Sequence, residues 1–335
     1  MVFTVRGDRI KRQDNLRIKA VIVRTGVFWS LAVLMIVLSL VSDQFLTAGN
    51  LLNVARQVTV TAILGIGVTF VIIGAGIDLS VGSLLAVTSA YAAGSMVTQG
   101  SLLLALLIAI GSGVGFGLCQ GVLITKFNLA PFAVTLGGMS IFRGMTLLFT
   151  GGYPISKLPE NFRWFGSGNI GFLPAPLLIL IIVAVVAYII LSKTRVGRYI
   201  YAIGSNENAT RLSGIDVNFY RTLTYVIAGV CCAIAGIILT GRVNSAHPYA
   251  GQGYELNAIA AAVIGGTSLN GGEGTIYGTI IGALIIGIIE NGLNLLQINP
   301  FYQDVAVGAV IIVAILVDRT RIGMQEKLAK VATDE

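Results

Sequence analysis

From Leu79 to Thr125 the chain carries no Asp, Glu, Lys, Arg or His, and this is only the longest of several such stretches. A soluble protein of ordinary make-up has roughly a quarter of its residues charged. Here 11% are charged and 55% hydrophobic, more apolar area than a globule of this mass can hide. Disorder is excluded as well, because it requires low hydrophobicity and high net charge. Water-free surroundings leave helices and closed barrels as the only structures that satisfy their own backbone. The runs show no period-2 alternation, which excludes a barrel. About 20 apolar residues carry a helix across the hydrocarbon. The expectation is an all-α, polytopic integral membrane protein with about ten transmembrane helices in one membrane domain over 1–335.

The runs lie near 27–42, 58–77, 80–98, 102–125, 130–150, 175–192, 219–241, 256–268, 275–297 and 301–317. The eighth is too short to cross as a regular helix. The second and third are joined almost without a loop around Asp78. Broken or re-entrant segments are therefore expected near 78 and over 265–275.

Charge placement tests the count. With both termini cytoplasmic, seven Lys and Arg precede the first run, Lys126 adds one, 193–221 adds five and four follow residue 317, so 17 of 22 face the cytoplasm. Arg56, Lys157, Arg163 and Arg242 face outward, and Arg143 lies within a run. The positive-inside rule expects such a bias, and an odd number of spans would destroy it. Residues 1–26 read as a basic cytoplasmic segment, 193–218 as a cytoplasmic loop and 318–335 as a cytoplasmic tail. The net charge of +7 does not indicate nucleic acid, because no basic stripe interleaved with aromatics accompanies it.

Several chemistries have no visible basis. No Lys follows a Gly, so a phosphate-binding Gly-x4-Gly-Lys loop is missing. No nucleophile elbow or His-Glu-x-x-His pair occurs. Cys119, Cys231 and Cys232 sit in apolar runs without a Cys-x-x-Cys pair, and His247 is the single histidine, which supports neither zinc nor a disulfide framework. Small residues recur every four positions at Gly82, Ala86, Ala90 and Gly94, at Gly113, Gly117 and Gly121, and at Gly278 and Gly282. That spacing serves close helix packing in lipid.

Polar groups within the runs are the candidate functional residues, since ionisable side chains in a bilayer are costly. Arg143 and Glu290 either pair or snorkel to an interface. Asp78, Ser80 and Ser83 suit a break between helix segments, with capping side chains at the new start. Thr267 and Ser268 belong to a second polar, Gly-dense break. Glu290, Asn291 and Asn294 either hydrogen-bond a solute in a pore or hold helices together, and holding helices together is favoured. In the loop, Asn206 suits an N-cap and Gly214 a terminator. A two-turn helix between them places Ala209, Leu212 and Ser213 on one small docking face.

Taken together, Gly76-Ile77-Asp78-Leu79-Ser80-Val81-Gly82-Ser83, the loop Ala202 to Ile215, Gly265-Gly266-Thr267-Ser268-Leu269 with Gly271-Gly272-Glu273-Gly274-Thr275, and Asn291-Gly292-Leu293-Asn294 resemble the permease subunits of ribose-type sugar ABC importers, within the branched-chain amino acid/sugar permease superfamily. The resemblance runs from about 27 to 322. It implies a bacterial plasma (inner) membrane pore, not an enzyme, through which a monosaccharide such as ribose passes inward. The implied partners are a cytoplasmic ABC ATPase subunit or fused double ATPase, a periplasmic or extracellular sugar-binding protein, and a second permease copy or paralogue. No cofactor is expected on this chain, since ATP and Mg would be used by the ATPase. The resemblance makes 193–218 a coupling loop, with Gly204, Asn206, Ala209, Leu212, Ser213, Gly214 and Ile215 as its ATPase-docking residues. Asp78, Ser80, Ser83, Arg143, Thr267, Ser268, Glu290, Asn291 and Asn294 become candidates for the translocation path or gate. An ion-coupled carrier is the alternative, and the lack of an Asp/Glu/His relay within the spans argues against it.

Overall fold

The computed structural model describes residues 27–299 together with 301–303, 305–309, 312, 313 and 316. The expected basic segment 1–26 and tail 318–335 lie outside the described residues, and the run at 301–317 is described only in part. The apolar runs form helices α1 (Val27–Val41), α2 (Ala48–Ile73), α3 (Val81–Gln99), α4 (Leu102–Lys126), α5 (Pro131–Thr150), α7 (Ala175–Lys193), α10 (Val217–Val243), α11 (Tyr254–Ile264) and α12 (Ile276–Leu295). Between them lie three shorter helices, α6 (Glu160–Ser167), α8 (Arg195–Ser205) and α9 (Glu207–Leu212). Among the described residues, seven helices are long and apolar enough to cross a membrane: α2, α3, α4, α5, α7, α10 and α12. α1 and α11 are apolar but shorter.

Helix α2 begins ten residues before the apolar run suggests. Thr47 caps its first turn by accepting from Asn50 N at 3.4 Å. The polar residues of that extension then find side-chain partners, Asn50 with Asn291, Gln57 with Glu290 and Arg56 with Asn169. A hydropathy reading stops where those polar residues begin. The helix also ends early, at Ile73, because Gly74 caps it and Ala75 turns left-handed at φ +58°.

Most of α2 and α3 is buried, whereas most of α4, α5 and α7 faces outward. The core gathers α2 residues such as Ile63, Leu64 and Ile66 with Leu84 of α3, Ile238 of α10 and Ala261 of α11. Glycine spacing sets how closely these helices approach. A β-carbon at Gly113 would strike the Gly229 carbonyl, one at Gly117 the Tyr225 carbonyl, and one at Gly121 the Thr222 backbone. The α4 and α10 backbones therefore touch along three turns. Gly278 and Gly282 play the same part for α12 against Gly265 and Ala261. Contacts of this kind replace the hydrophobic drive that lipid removes.

The segment 151–174 is more ordered than its sequence suggests. Strand β1 (Ile155–Ser156) pairs antiparallel with β4 (Ser245–Ala246), and β2 (Asn169–Ile170) pairs with β3 (Leu173–Pro174). Helix α6 seats Gly166 directly on the α10 end at Gly241 and Arg242.

Candidate functional site

The two expected breaks both exist as irregular backbone, and they meet. Residues 74–80 join α2 to α3 as a non-helical segment. Asp78 and Ser80 within it are buried. Asp78 Oδ1 accepts from Ser80 N at 2.8 Å and from Ser80 Oγ at 2.7 Å. Gln120 of α4 donates Nε2 to Ser80 Oγ at 2.9 Å. Ser83 Oγ donates to the Ser80 carbonyl at 2.8 Å, and Thr135 of α5 donates to the Ile77 carbonyl at 3.3 Å. Side chains thus satisfy backbone that no helix satisfies, as buried irregular chain requires. Asp78 Oδ2 is buried with no partner among the described residues. Gln120, a lone amide in the fourth apolar run, was not singled out from sequence, although that isolation is itself a legible signal.

The second break, residues 265–275, is built from positive-φ glycines at 266, 271, 272 and 274. Thr267 and Ser268 are buried in it. Ser268 N donates to the Glu273 carbonyl at 3.1 Å and Gly271 N to the Ser268 carbonyl at 3.0 Å. Gly272 N donates to the Ile73 carbonyl at 2.9 Å, which ties this break to the end of α2. Gly204 of α8 packs onto the same two atoms so closely that any β-carbon there would collide with both. Tyr201 of α8 adds a hydroxyl donated to the Gly274 carbonyl at 2.6 Å. Capping signals place a helix only at 206–214, so α8 adds a second one to the 193–218 loop. Its apolar residues Val196, Ile200 and Ile203 nevertheless fall at i, i+4 and i+7, the helical face that is buried here.

Beyond that junction the chain forms a short hook. Asn206 caps α9 by accepting from Ala209 N at 2.9 Å. The helix ends through Ser213, and Gly214 follows at φ +79° in open space. Ala209, Leu212, Ser213 and Gly214 are all exposed, Leu212 by 89%. Thr210 faces inward and Ile215 is half-buried. Glu207 accepts from Arg211 at 2.9 Å and from Arg221 of α10 at 2.7 Å. Burial alone would raise the Glu207 carboxyl, but the hydrogen bonds and charges of Arg221 and Arg211 outweigh it and hold the group below the usual carboxylate range.

The remaining polar candidates divide. Arg143 and Glu290 do not pair with each other, contrary to one of the two expectations for them. Gln57 and Asn257 donate to the two Glu290 oxygens at 3.0 Å each. Asn291 and Asn50 exchange reciprocal bonds at 2.8 and 3.0 Å, and Gln303 donates to Asn294 Oδ1 at 2.7 Å. This cluster holds the starts of α2 and α11 to the end of α12. Arg143 instead donates Nη1 to the Pro248 and Ala250 carbonyls at 2.6 and 3.0 Å, clamping the loop before α11.

A sequence profile described as the permease component of a branched-chain amino acid transport system matches residues 50–315. The chain belongs to this permease family. It is 45% identical to the ribose import permease protein RbsC of Bacillus subtilis over 92% of this chain and 97% of that protein. It is 46% identical to the RbsC of Escherichia coli K12 over 87% and 92% of the two chains. The D-allose transport system permease protein AlsC of Escherichia coli K12 is 40% identical over 88% and 91%. The family is one of transport permeases, not enzymes. The missing phosphate loop and catalytic constellations fit that membership.

Proposed function

We propose that this permease forms the membrane pore of an ATP-driven importer for ribose or a closely related monosaccharide. A separate cytoplasmic ABC ATPase drives it, using ATP and Mg, and a sugar-binding protein outside delivers the solute. The observation that carries the reading is the α8–α9 unit. A capped hook presents an almost fully exposed Leu212, and the helix before it is wedged against both backbone breaks. Leu212, with the exposed Ala209 and Ser213 beside it on the capped helix, forms a small apolar knob suited to a groove on a partner. Motion applied there reaches Ile73 and Gly272 directly, so the breaks and the hook move as one two-state element.

In this reading residues 193–218 are the coupling loop, and Gly204, Asn206, Ala209, Leu212, Ser213, Gly214 and Ile215 seat the ATPase. The breaks at 74–80 and 265–275 are re-entrant and act as the gate, with Asp78, Ser80, Ser83, Thr267 and Ser268 shaping it and Arg143 on the path above. Glu290, Asn291 and Asn294 fix helices beside the path. The chain crosses a bacterial plasma membrane ten times with both termini in the cytoplasm, and it pairs with a second copy or a paralogue.

The test is docking. Leu212→Asp places a charge on the apolar contact, and Gly214→Val forces a β-branched residue into a left-handed turn it rarely adopts. Both variants are expected to insert normally and to lose at least about tenfold in ATPase co-purification, the effect of about 1.4 kcal/mol. Undiminished co-purification of both sinks the coupling assignment. A reporter fused after Glu335 that reads external refutes the ten-span topology.

A further inference from the structure

Helix α5 carries Arg143 and Ser140 in its middle third, within a stretch apolar enough to cross a membrane. Arg143 stands 12 residues after Pro131 and seven before Thr150, about 18 Å and 10 Å along the helix axis. Ser140, one turn earlier, is exposed. On the same stripe Gly137 and Gly144 have nothing within 4 Å of where a β-carbon would stand. Across from this stripe lies the loop that Arg143 clamps, which carries an exposed Gln252 and then Glu255 in the first turn of α11. That loop is deep in the helical layer. Gly251 and the Glu255 carboxylate press on Gly82, in the first turn of α3, so closely that a β-carbon at 82 would collide with both.

These groups are poised without being consumed. Arg143 spends Nη1 on two carbonyls, while its Nε and Nη2 have no partner among the described residues. Glu255 Oε1 accepts from Gly253 N at 3.3 Å. Arg143 and Glu255 interact electrostatically, yet they form no direct ion pair among the described residues. The Ser140 hydroxyl and the Gln252 amide have no hydrogen bond among the described residues either. A half-buried guanidinium and carboxylate beside an exposed hydroxyl and amide suit a watered site better than hydrocarbon, where each unsatisfied polar group costs several kcal/mol.

We propose that Glu255 and Gln252, on the segment that Arg143 clamps, form with Arg143 and Ser140 a subsite within the membrane domain that hydrogen-bonds a small neutral polyol and sets the solute class of the pore. The inference rests on the importer reading above and adds to it the solute-contacting residues. A guanidinium offers donors, a carboxylate acceptors, and an amide and a hydroxyl offer both, which matches vicinal hydroxyls. Opposite charges at one site give no net preference for an anion or a cation. The glycines of the α5 stripe provide no apolar wall, which disfavours a branched-chain amino acid as the ligand.

The test separates water access from transport. Ser140→Cys and Gln252→Cys are made in a Cys119→Ser background, with Val185→Cys on the exposed side of α7 as comparator. A charged, membrane-impermeant thiosulfonate is expected to label 140 and 252 at least tenfold faster than 185, and D-ribose at millimolar concentration is expected to slow both. Equal labelling at the three positions, labelling indifferent to D-ribose, or slowing by L-leucine in its place overturns the subsite. In vesicles holding the complete importer, Glu255→Gln is expected to cut D-ribose uptake at least tenfold with ATPase co-purification retained, and Glu255→Asp to restore part of it. Wild-type uptake by Glu255→Gln overturns the role of the carboxylate. Failure of the importer reading looks different: the α9 variants would keep their ATPase, and the labelling pattern would be untouched.

Discussion

Two sets of polar side chains stand on membrane-embedded helices of this protein, and they have opposite fates. Where the starts of α2 and α11 meet the end of α12, Glu290 takes donors from Gln57 and Asn257, and Asn291 locks with Asn50. Around Arg143 and Glu255, by contrast, several donors and acceptors have no side-chain partner among the described residues. The first set is structural because it is closed. The second is a candidate for solute contact because it is open. Residue type does not separate them, since each set contains a carboxylate and amides. What separates them is whether another helix supplies the complementary atom.

That contrast can be broken, beginning with its largest expected effect. Glu290→Leu leaves the Gln57 and Asn257 amides without their acceptor, which destabilises by about 1–3 kcal/mol. Denaturant titration in detergent micelles should register this as an earlier unfolding midpoint, with uptake per folded molecule unchanged. Lost uptake at unaltered stability would make the Glu290 cluster part of the path. Asn291→Leu removes one member of a reciprocal amide pair, and interhelical bonds in membranes average only about 0.6 kcal/mol. A shift above about 2 kcal/mol would mean that the pair does more than hold α2 to α12.

Ser140→Ala, on the open face, should leave stability within about 0.5 kcal/mol, as for surface changes that break no contact. A clear destabilisation would show that this hydroxyl is already satisfied. The smallest effect concerns a third polar group, outside the membrane. Glu207 has a lowered folded-state pKa, so its contribution is fully present above its ordinary value of 4.5 and is lost as pH falls through the lowered one. Hydrogen exchange of residues 206–214 should therefore stay protected near neutral pH and rise only in that acidic window. Loosening that begins near pH 6 would assign the hook to some other titrating group.

Much of this arrangement is legible before any coordinates. The hook is local chemistry: an Asn that caps, a glycine that turns left-handed, and seven residues between them. Its boundaries follow from sequence because capping acts over three or four residues. Helix starts are less legible. α2 extends back through Asn50, Arg56 and Gln57, whose polarity ends an apolar run but whose partners lie as far off as Glu290 and Asn291. The clamp on Arg143 is illegible for a related reason, since its acceptors are the backbone carbonyls of Pro248 and Ala250, which carry no side-chain signal. Glu255 escapes notice because it stands just before a short apolar run, where a carboxylate ordinarily faces water.

By itself the sequence determined that the chain lives in a membrane as helices, where its backbone breaks and which loop carries a capped, exposed hook. Those are consequences of hydropathy, glycine content and capping, all of which act locally. Only the tertiary structure decided that the two breaks touch each other through Gly272 and Ile73, that Gly204 and Tyr201 bind the helix before the hook to them, and that Glu290 takes two side-chain donors while Glu255 takes none among the described residues. The reason is physical. In lipid a polar atom's meaning depends on whether a distant segment completes it, and that is a property of packing.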